Sequence, residues 1–524
     1  MLSAVTCVSL AGCIAPQRPS DVFVLASGAD LESANPLVTT HPLSRQLQRY
    51  ALFVTLLRYD SALTPQPYYA RRWTWNEQGR VLTLSLVNGL RWHDGRPTSA
   101  ADAAFTFLAA RDPATGYPRA AELKELDTAV AVNDTTLELR FLQPPPRLPA
   151  LLAELPIVPQ HLLGRVPRSA MRGSRFDETA IGNGPFRLVE RRRGARWSFA
   201  RNDSFPASLG GPPALRGLVV AVVDEATTKF AGLASGELDM AGISPAMASL
   251  ANRDATLRVV SYPVLFGTGL FFNTNRPPFD DARVRRAVAR SLDRARIVEI
   301  ALAGFGEPAS SPVPPDSPLA WHPPTSRDTA EADRLLDAAG WRRGRDGIRQ
   351  RNGRRLAVEM LSVGSGDNVV EQLVQADLAP RGIDVRVRQT EMGSFLTIAR
   401  ASEKRFDMLL AGVPGDLSLS YVDALFASAQ RGGTLDYTGY HAPLLDSLLA
   451  AARRASPSEE RPAWVAVQAA LDSLAPATWI YHARGVQGIS RRVRGVHMDL
   501  RGELVTVHDW TVASPPRAQR MSVR

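Results

Sequence analysis

Cysteine is almost absent from the sequence: Cys7 and Cys13 are the only two in 524 residues, and both stand at the extreme N-terminus. A disulfide framework for the body of the chain is thereby excluded, and its stability has to come from packing. Lysine is nearly as scarce. Lys124, Lys229 and Lys404 are the only ones, so the formal charge of +10 rests on arginines scattered along the chain. No arginine block is interleaved with aromatics, and neither helix-turn-helix nor zinc-ligand spacing occurs, which argues against a nucleic-acid partner. A basic surface of this kind favours anionic lipid headgroups only as a secondary property. Beyond the first residues, no apolar run approaches the roughly 20 residues that a membrane helix needs. The eight histidines (41, 93, 161, 322, 441, 482, 497 and 508) are dispersed, and no G-x-S-x-G elbow is present. A secreted hydrolase is therefore the most remote reading, and no enzyme activity is expected.

What the sequence does have is length and aliphatic content. With 45% hydrophobic residues it has material for packed interiors, and at about 150 residues per domain its length suggests roughly three domains. A strand is expected over 21–26, followed by Asn35-Pro36-Leu37 and a helix over 43–57. Short strands come next, including the alternating run VLTLSLV over 81–87 and the turn pair Asp94-Gly95. Ser99 is placed to cap a helix, AADAAFTFLAAR. His93 beside Asp94 has no third ligand in view, so a metal site is not expected there. A second hairpin turns at Asn133-Asp134. From 356 to 411, strands and helices alternate in a β-α-β-α-β rhythm, the pattern of a parallel sheet with covering helices.

The stretch 271–315, FFNTNRPPFDDARVRRAVARSLDRARIVEIALAGFGEPASSPVPP, organises the rest. Pro277 and Pro278 forbid a helix up to that point, and Asp280 or Asp281 can cap one that follows. Val284, Ala287, Val288, Ser291, Leu292, Ala295 and Val298 recur at helical spacing with arginines between them, one buried face that Gly304 and Gly306 end. The ordered set of FN, PPFDD, VRRAV, LDR and G-x-G-x-PA resembles a signature of the family 5 extracellular solute-binding proteins, peptide and nickel receptors of ABC importers. Trp92-His93-Asp94-Gly95, Gly236-Glu237-Leu238-Asp239-Met240 and the A-x-x-LL-x-x-AGW pattern ending at Trp341 resemble further blocks of that family. Ile181-Gly182-Asn183-Gly184-Pro185-Phe186 resembles its G-T-G-P-Y/F segment with Asn183 for threonine. Two glycines around a polar residue suggest a tight crossing between lobes, and no Walker ending follows them.

The resemblance runs over about residues 21–509. It implies an α/β, two-lobe periplasmic-binding-protein type II (Venus flytrap) fold with an extra inserted α+β domain in the first lobe. The expected division is 1–20 for signal and linker, and 21–50, 176–268 and 485–512 for lobe I. Residues 51–175 form the inserted hairpin-rich subdomain, 269–484 lobe II, and 513–524 a flexible tail. The implied function is capture of an oligopeptide or dipeptide between the lobes, for delivery to an ABC permease and ATPase complex. A nickel-chelate or oligosaccharide receptor is the alternative within the family. A monomer is expected, with no cofactor and no resident metal.

Ligand contacts implied by the resemblance are Gly412, Val413 and Asp416, with Thr40 and His41 across the cleft. Asp416 matches an aspartate that pairs with a peptide's free amino group; by residue type alone it reads more readily as a cap for the next turn. Three departures stand out. Val413 replaces a usual tryptophan, Pro414 has no N–H to offer a peptide strand, and 362–368 lacks the arginine of dipeptide receptors, which argues against strict dipeptide specificity. At the N-terminus, an apolar run ending Leu10-Ala11-Gly12-Cys13 resembles a bacterial lipoprotein signal, though without the basic residue that opens export signals. Lipidation of Cys13 would anchor the protein in the periplasm or at the cell surface, and several acyl chains would make the tether lasting.

Overall fold

The computed structural model describes residues 21–39, 41–364 and 368–513. Strand β1 (Val22–Ser27) and helix α1 (Pro42–Leu47) come first. The helical backbone continues as one π turn to Leu52 and then becomes extended at Phe53, short of the expected end at Leu57. Tertiary contact overrides periodicity here. Gly184 N–H donates to Leu52 O at 3.0 Å, and Asn183 Oδ1 accepts the Val54 N–H at 3.0 Å. A Cβ on Gly182 would lie 1.9 Å from Leu52 O, so only glycine permits this approach. The Gly-Asn-Gly crossing is tight, but it lies within the first lobe, against residues 52–54, and not between lobes as expected.

Four antiparallel strands follow: β2 (Ala70–Trp75), β3 (Val81–Leu86), β4 (Leu126–Asn133) and β5 (Thr136–Phe141), in the order β2-β3-β5-β4. Helix α2 (Ala100–Arg111) packs on β4 and β5. Its start is a capping box: Ser99 Oγ accepts from Ala101 N–H at 3.3 Å, and Asp102 Oδ2 accepts from Ser99 N–H at 2.9 Å. His93 braces the glycine crossing. Its Nδ1 accepts the Gly182 N–H at 3.2 Å and its Nε2–H donates to Gly184 O at 3.1 Å. Asp94 accepts the Arg96 N–H in the turn and pairs with His161 at 2.7 Å.

The main sheet is built from β6 (Phe186–Arg192), β7 (Arg196–Arg201), β8 (Gly217–Val222), β9 (Met240–Gly242) and β10 (Leu257–Phe272). It continues with β11 (Ala357–Val363), β12 (Asp384–Thr390), β13 (Met408–Pro414) and β14 (Ala477–Ser490). The strand order is β12-β11-β13-β10-β14-β9-β1-β8-β7-β6. β1 runs parallel to β8 and β9, and β11 runs parallel to β12 and β13. In β1, Phe23 and Leu25 enter one core while Val24 and Ala26 enter another, as a strand covered on both faces must. In the second lobe, Phe271, Val413 and Trp479 face one core, and Phe272, Met360 and Val385 the other.

β10 and β14 join the lobes. Residues 257–263 pair with 484–490 on the first-lobe side, and 267–271 with 477–482 on the second-lobe side. Between the two ladders the register breaks at Pro263/Gly267, so Val264, Leu265 and Phe266 span the crossing. The expected boundaries at 268/269 and 484/485 fall inside these two strands.

The expected single helix after Asp281 is two: α3 (Ala282–Ser291) and α4 (Arg294–Leu302). Asp281 caps the first through the Arg283 N–H, and Asp293 caps the second through the Arg296 N–H. The break shifts the helical phase, so Ala295 is exposed while Arg294, Ile297 and Val298 go inside. Arg294 is satisfied by Trp479 O, Ala289 O and Thr478 Oγ1. Arg285 is also buried and donates to Leu474 O and Ala475 O, where helix α6 (Glu460–Leu474) ends.

His93 and His482 are both buried as neutral rings, and burial pulls each down to about 4 from an ordinary 6.5. His482 donates from Nε2 to Ser311 O at 3.0 Å. Because the unfolded chain takes up these protons first, stability is complete above pH 6.5 and declines as pH falls toward 4, by up to about 1.4 kcal/mol per pH unit for each ring. Thermal unfolding followed across that window should show Tm falling with acidification, with a shallower slope in the His93→Gln/His482→Gln protein.

Candidate functional site

The seam between the lobes is lined on one side by the end of β13. Gly415 N–H donates to Leu265 O at 2.7 Å and Asn273 N–H to Asp407 O at 2.9 Å, at the two ends of the β10–β13 ladder. Antiparallel pairing alternates, so Asp407, Leu409, Ala411, Val413 and Gly415 turn their backbone groups toward β10. Gly412 and Pro414 turn theirs the other way. On that side β11 pairs with β13 only at Met360–Met408 and Leu361–Leu409. The Gly412 N–H and C=O and the Pro414 C=O therefore form an open strand edge, without a hydrogen-bond partner among the described residues. Pro414 leaves the β10 ladder intact because its nitrogen faces outward, a position at which proline is tolerated.

Over this edge lies Phe266, 40% exposed and the only aromatic among the exposed large hydrophobic residues described. A Cβ on residue 412 would sit 2.2 Å from its Cζ, so Gly412 is what lets the ring cover the strand.

Asp416 follows. Its Oδ1 accepts from Ser418 Oγ at 2.6 Å and Ser420 N–H at 3.0 Å, and its Oδ2 accepts from Ser420 Oγ at 2.6 Å. The carboxylate thus holds the first N–H of helix α5 (Ser420–Phe426) from outside it, the N-cap position itself being Leu419. Two further carboxyls feel its field. Asp423 is raised by burial, against its ion pair with Arg453 and with a contribution from Asp416. Glu122, from the first lobe, is raised by burial, against Arg119 and with contributions from Glu154 and Asp416. Across the same seam, Arg147 of the first lobe is ion-paired with Glu460 at the start of α6.

Behind Glu122 stands a charged wall. Arg119 holds Glu122 through both carboxylate oxygens, at 2.5 and 2.9 Å, and also pairs with Glu154. Arg49 reaches Glu154 at 3.8 Å. Arg45, one helical turn before Arg49, has no ion pair or side-chain hydrogen bond among the described residues; burial lowers its pKa, and Arg49 and Arg119 lower it further. A cavity of about 60 Å³ lies among Thr39, Arg45, Gln48, Tyr117, Arg119 and Glu154.

Of the residues expected to touch a ligand, Gly412 and Asp416 are brought together at the seam. Val413 is turned away: its side chain is 1% exposed in the second-lobe core and its backbone faces β10. The alternation of a strand dictates this, because neighbours of an open-edge residue cannot share its edge. His41 caps α1, with Nδ1 accepting from Ser44 N–H at 3.3 Å and facing Ser44 Oγ at 3.0 Å. Thr40 and Cys13 lie outside the described residues. Phe266, Glu122, Arg119 and Arg45 were not found from the sequence. Phe266 had a signal, an aromatic beside Gly267-Thr268-Gly269; the three charged residues had none, since only folding brings them to the seam.

The profile of bacterial extracellular solute-binding proteins, family 5 middle region, matches residues 64–432. Protein XP55 of Streptomyces lividans is 29% identical over 87% of this chain and 83% of its own. The oligopeptide-binding protein AppA of Bacillus subtilis is 23% identical over 95% of this chain and 92% of its own. The structure of AppA in complex with a nonapeptide superposes with a TM-score of 0.76, at 22% identity over 94% of this chain and 99% of AppA. NikZ of Campylobacter jejuni in complex with Ni(L-His) superposes with a TM-score of 0.78, at 22% identity over 94% of this chain and 100% of NikZ.

The local role of Asp416 is measurable apart from any ligand. Asp416→Ala removes the acceptor of the Ser418 and Ser420 hydroxyls and of the Ser420 N–H and should lower unfolding free energy by about 1 kcal/mol in urea titration, whereas Asp416→Asn keeps an acceptor and most of that stability.

Proposed function

As the chain belongs to the bacterial extracellular solute-binding proteins of family 5, we propose that it captures peptides in the inter-lobe seam and delivers them to an ABC permease and ATPase complex. The observation that carries this reading is the open strand edge at Gly412 and Pro414 beside a carboxylate patch. A peptide main chain matches such an edge, donating to the two carbonyls and accepting from the Gly412 N–H. Pro414 withholds one donor, so affinity depends more on the ends and side chains of the peptide. Asp416, with Glu122 and Asp423 adding negative potential, suits the ammonium terminus. AppA, in complex with a nonapeptide, supports the same reading.

Residues 21–50, 176–268 and 485–512 act as lobe I, 51–175 as its insert and 269–484 as lobe II. They close by bending at 264–266, which the broken register leaves outside both ladders. Arg147–Glu460 joins the two sides. A nickel-chelate receptor is the alternative, since NikZ carries Ni(L-His). Among the described residues no group of three or more His, Cys, Asp and Glu stands ready to hold a metal ion, so a chelate would be gripped through its chelator. The peptide reading accounts for the open edge, which a chelator does not need.

Binding without turnover is part of this proposal. The one hydrogen bond between a histidine ring and a serine or threonine hydroxyl among the described residues is His41–Ser44, and Ser44 is buried in a helix cap. Attachment through lipidated Cys13 is also proposed, on the Leu10-Ala11-Gly12-Cys13 pattern. No helix among the described residues is long and apolar enough to cross a membrane.

Calorimetry with a library of di- to nonapeptides, alongside small-angle scattering, tests capture and closure together. Asp416→Asn should weaken peptide binding by about tenfold or more, and Pro414→Ala, which restores an N–H to the edge, should strengthen it about two- to tenfold. Unchanged affinity in both variants, with no compaction on saturation, would overturn the assignment. For the anchor, Cys13→Ser should move the protein from the membrane fraction to the soluble one, and a wild-type protein already soluble would refute it.

A further inference from the structure

A second cavity, of about 470 Å³, lies in the inserted subdomain and shares no lining residue with the seam or with the cavity beside Arg45. It is bounded by α2 and by β4, the edge strand of the four-stranded sheet. On α2, Ala101, Ala104, Phe105 and Leu108 follow at three- and four-residue steps and so share one face. On β4, Ala129 and Ala131 stand two residues apart and share one side of the strand. Phe105 and Ala129 are the buried floor, 7% and 6% exposed, while Leu108 and Ala131 are half-buried at the rim.

Size and lining both point to an organic guest. Sites for small molecules measure roughly 300–1,000 Å³ and are mostly apolar with a few polar groups, and this cavity has that volume and that balance. Only Gln160 and Arg168 bring polar side chains to it, too few to hold a cluster of ordered waters, each of which needs two to four polar partners.

Arg168 sets the sign of the guest. Its guanidinium lies over the Phe105 ring, 4.6 Å from the centroid, which keeps the charge at the cavity wall. It makes no hydrogen bond among the described residues. One carboxylate, Asp112, stands 4.0 Å from its Nε, and Asp112 Oδ1 already accepts the Ala114 N–H at 2.9 Å. No acidic side chain lines the cavity. With 28% of its side-chain surface exposed, Arg168 can present N–H donors to an anion that enters.

We infer that this cavity binds a medium-chain alkyl carboxylate, with the hydrocarbon between α2 and β4 and the carboxylate at Arg168. The lining from Ala101 to Leu108 covers about 10 Å of helix axis, at 1.5 Å per residue. A short anion leaves both apolar faces wet, and an uncharged chain leaves Arg168 without an acceptor, so each half alone is the poorer ligand. The site is separate from the seam and does not depend on the peptide reading.

Calorimetry on the full-length protein with hexanoate, octanoate and decanoate tests this. Affinity should rise about two- to fourfold for each added methylene, the gain from burying it. Octanoate should bind about threefold more tightly than octan-1-ol, and Arg168→Gln should remove that difference. Ala131→Leu, which puts a larger side chain into the open part of the cavity, should weaken decanoate about tenfold with Tm unchanged. Absence of binding by wild type, or an affinity independent of chain length, overturns the inference and needs no variant to fold. Full decanoate affinity in Ala131→Leu also overturns it, as does displacement of decanoate by a saturating peptide, which would put the chain in the seam.

Discussion

The pairing of β10 with β14 is the constraint on which the architecture depends. Two strands of 16 and 14 residues run antiparallel from one lobe to the other, and each lobe builds its sheet outward from its own half of the pair. A continuous pair fixes which edges meet across the seam, while the interruption at Pro263/Gly267 leaves a short unladdered step at the crossing. Small residues make the approach possible: a Cβ on Gly267 would lie 2.8 Å from the Trp479 ring, and one on Gly485 would lie 2.3 Å from the Tyr262 ring. Backbone hydrogen bonding thus joins the lobes without fusing their cores, which remain separate clusters on either side.

The parity of one ladder then determines the chemistry of the seam. Odd-numbered residues of β13 are consumed by β10, so the free polar groups at the seam belong to Gly412 and Pro414, and Val413 is left to the core. The charges obey a different rule. Carboxyls brought near one another out of water repel, and here Arg119 and Arg453 hold Glu122 and Asp423 in place against that repulsion. The first-lobe wall holds one more arginine than its carboxylates need, and the seam is electrically asymmetric as a result.

Much of the fold was legible in the chain. Alternation marked β3, and the β-α-β-α-β rhythm from 356 to 411 marked the parallel trio β11, β12 and β13. Ser99 and Asp281 cap the helices that their residue types suggested. Misreadings arose where distant contacts outweighed local pattern. The helix through Leu57 ends at Leu52 because Gly182 to Gly184 press on its carbonyls. The single helix after Asp281 breaks because Asp293 caps a new one, which exposes Ala295 and buries Arg294.

Local pattern alone determined the secondary-structure rhythm, the caps and the family, because propensity, periodicity and motif order act between residues near in sequence. Gly412, Val413 and Asp416 were named together by the family resemblance, at the end of one strand. Only the tertiary structure decided that Val413 faces inward, that Phe266 covers Gly412, and that Glu122, held by Arg119, lies within the field of Asp416. Glu122 and Asp416 are separated by nearly three hundred positions, and the field between two carboxyls depends on distance and burial, neither of which is written in sequence spacing.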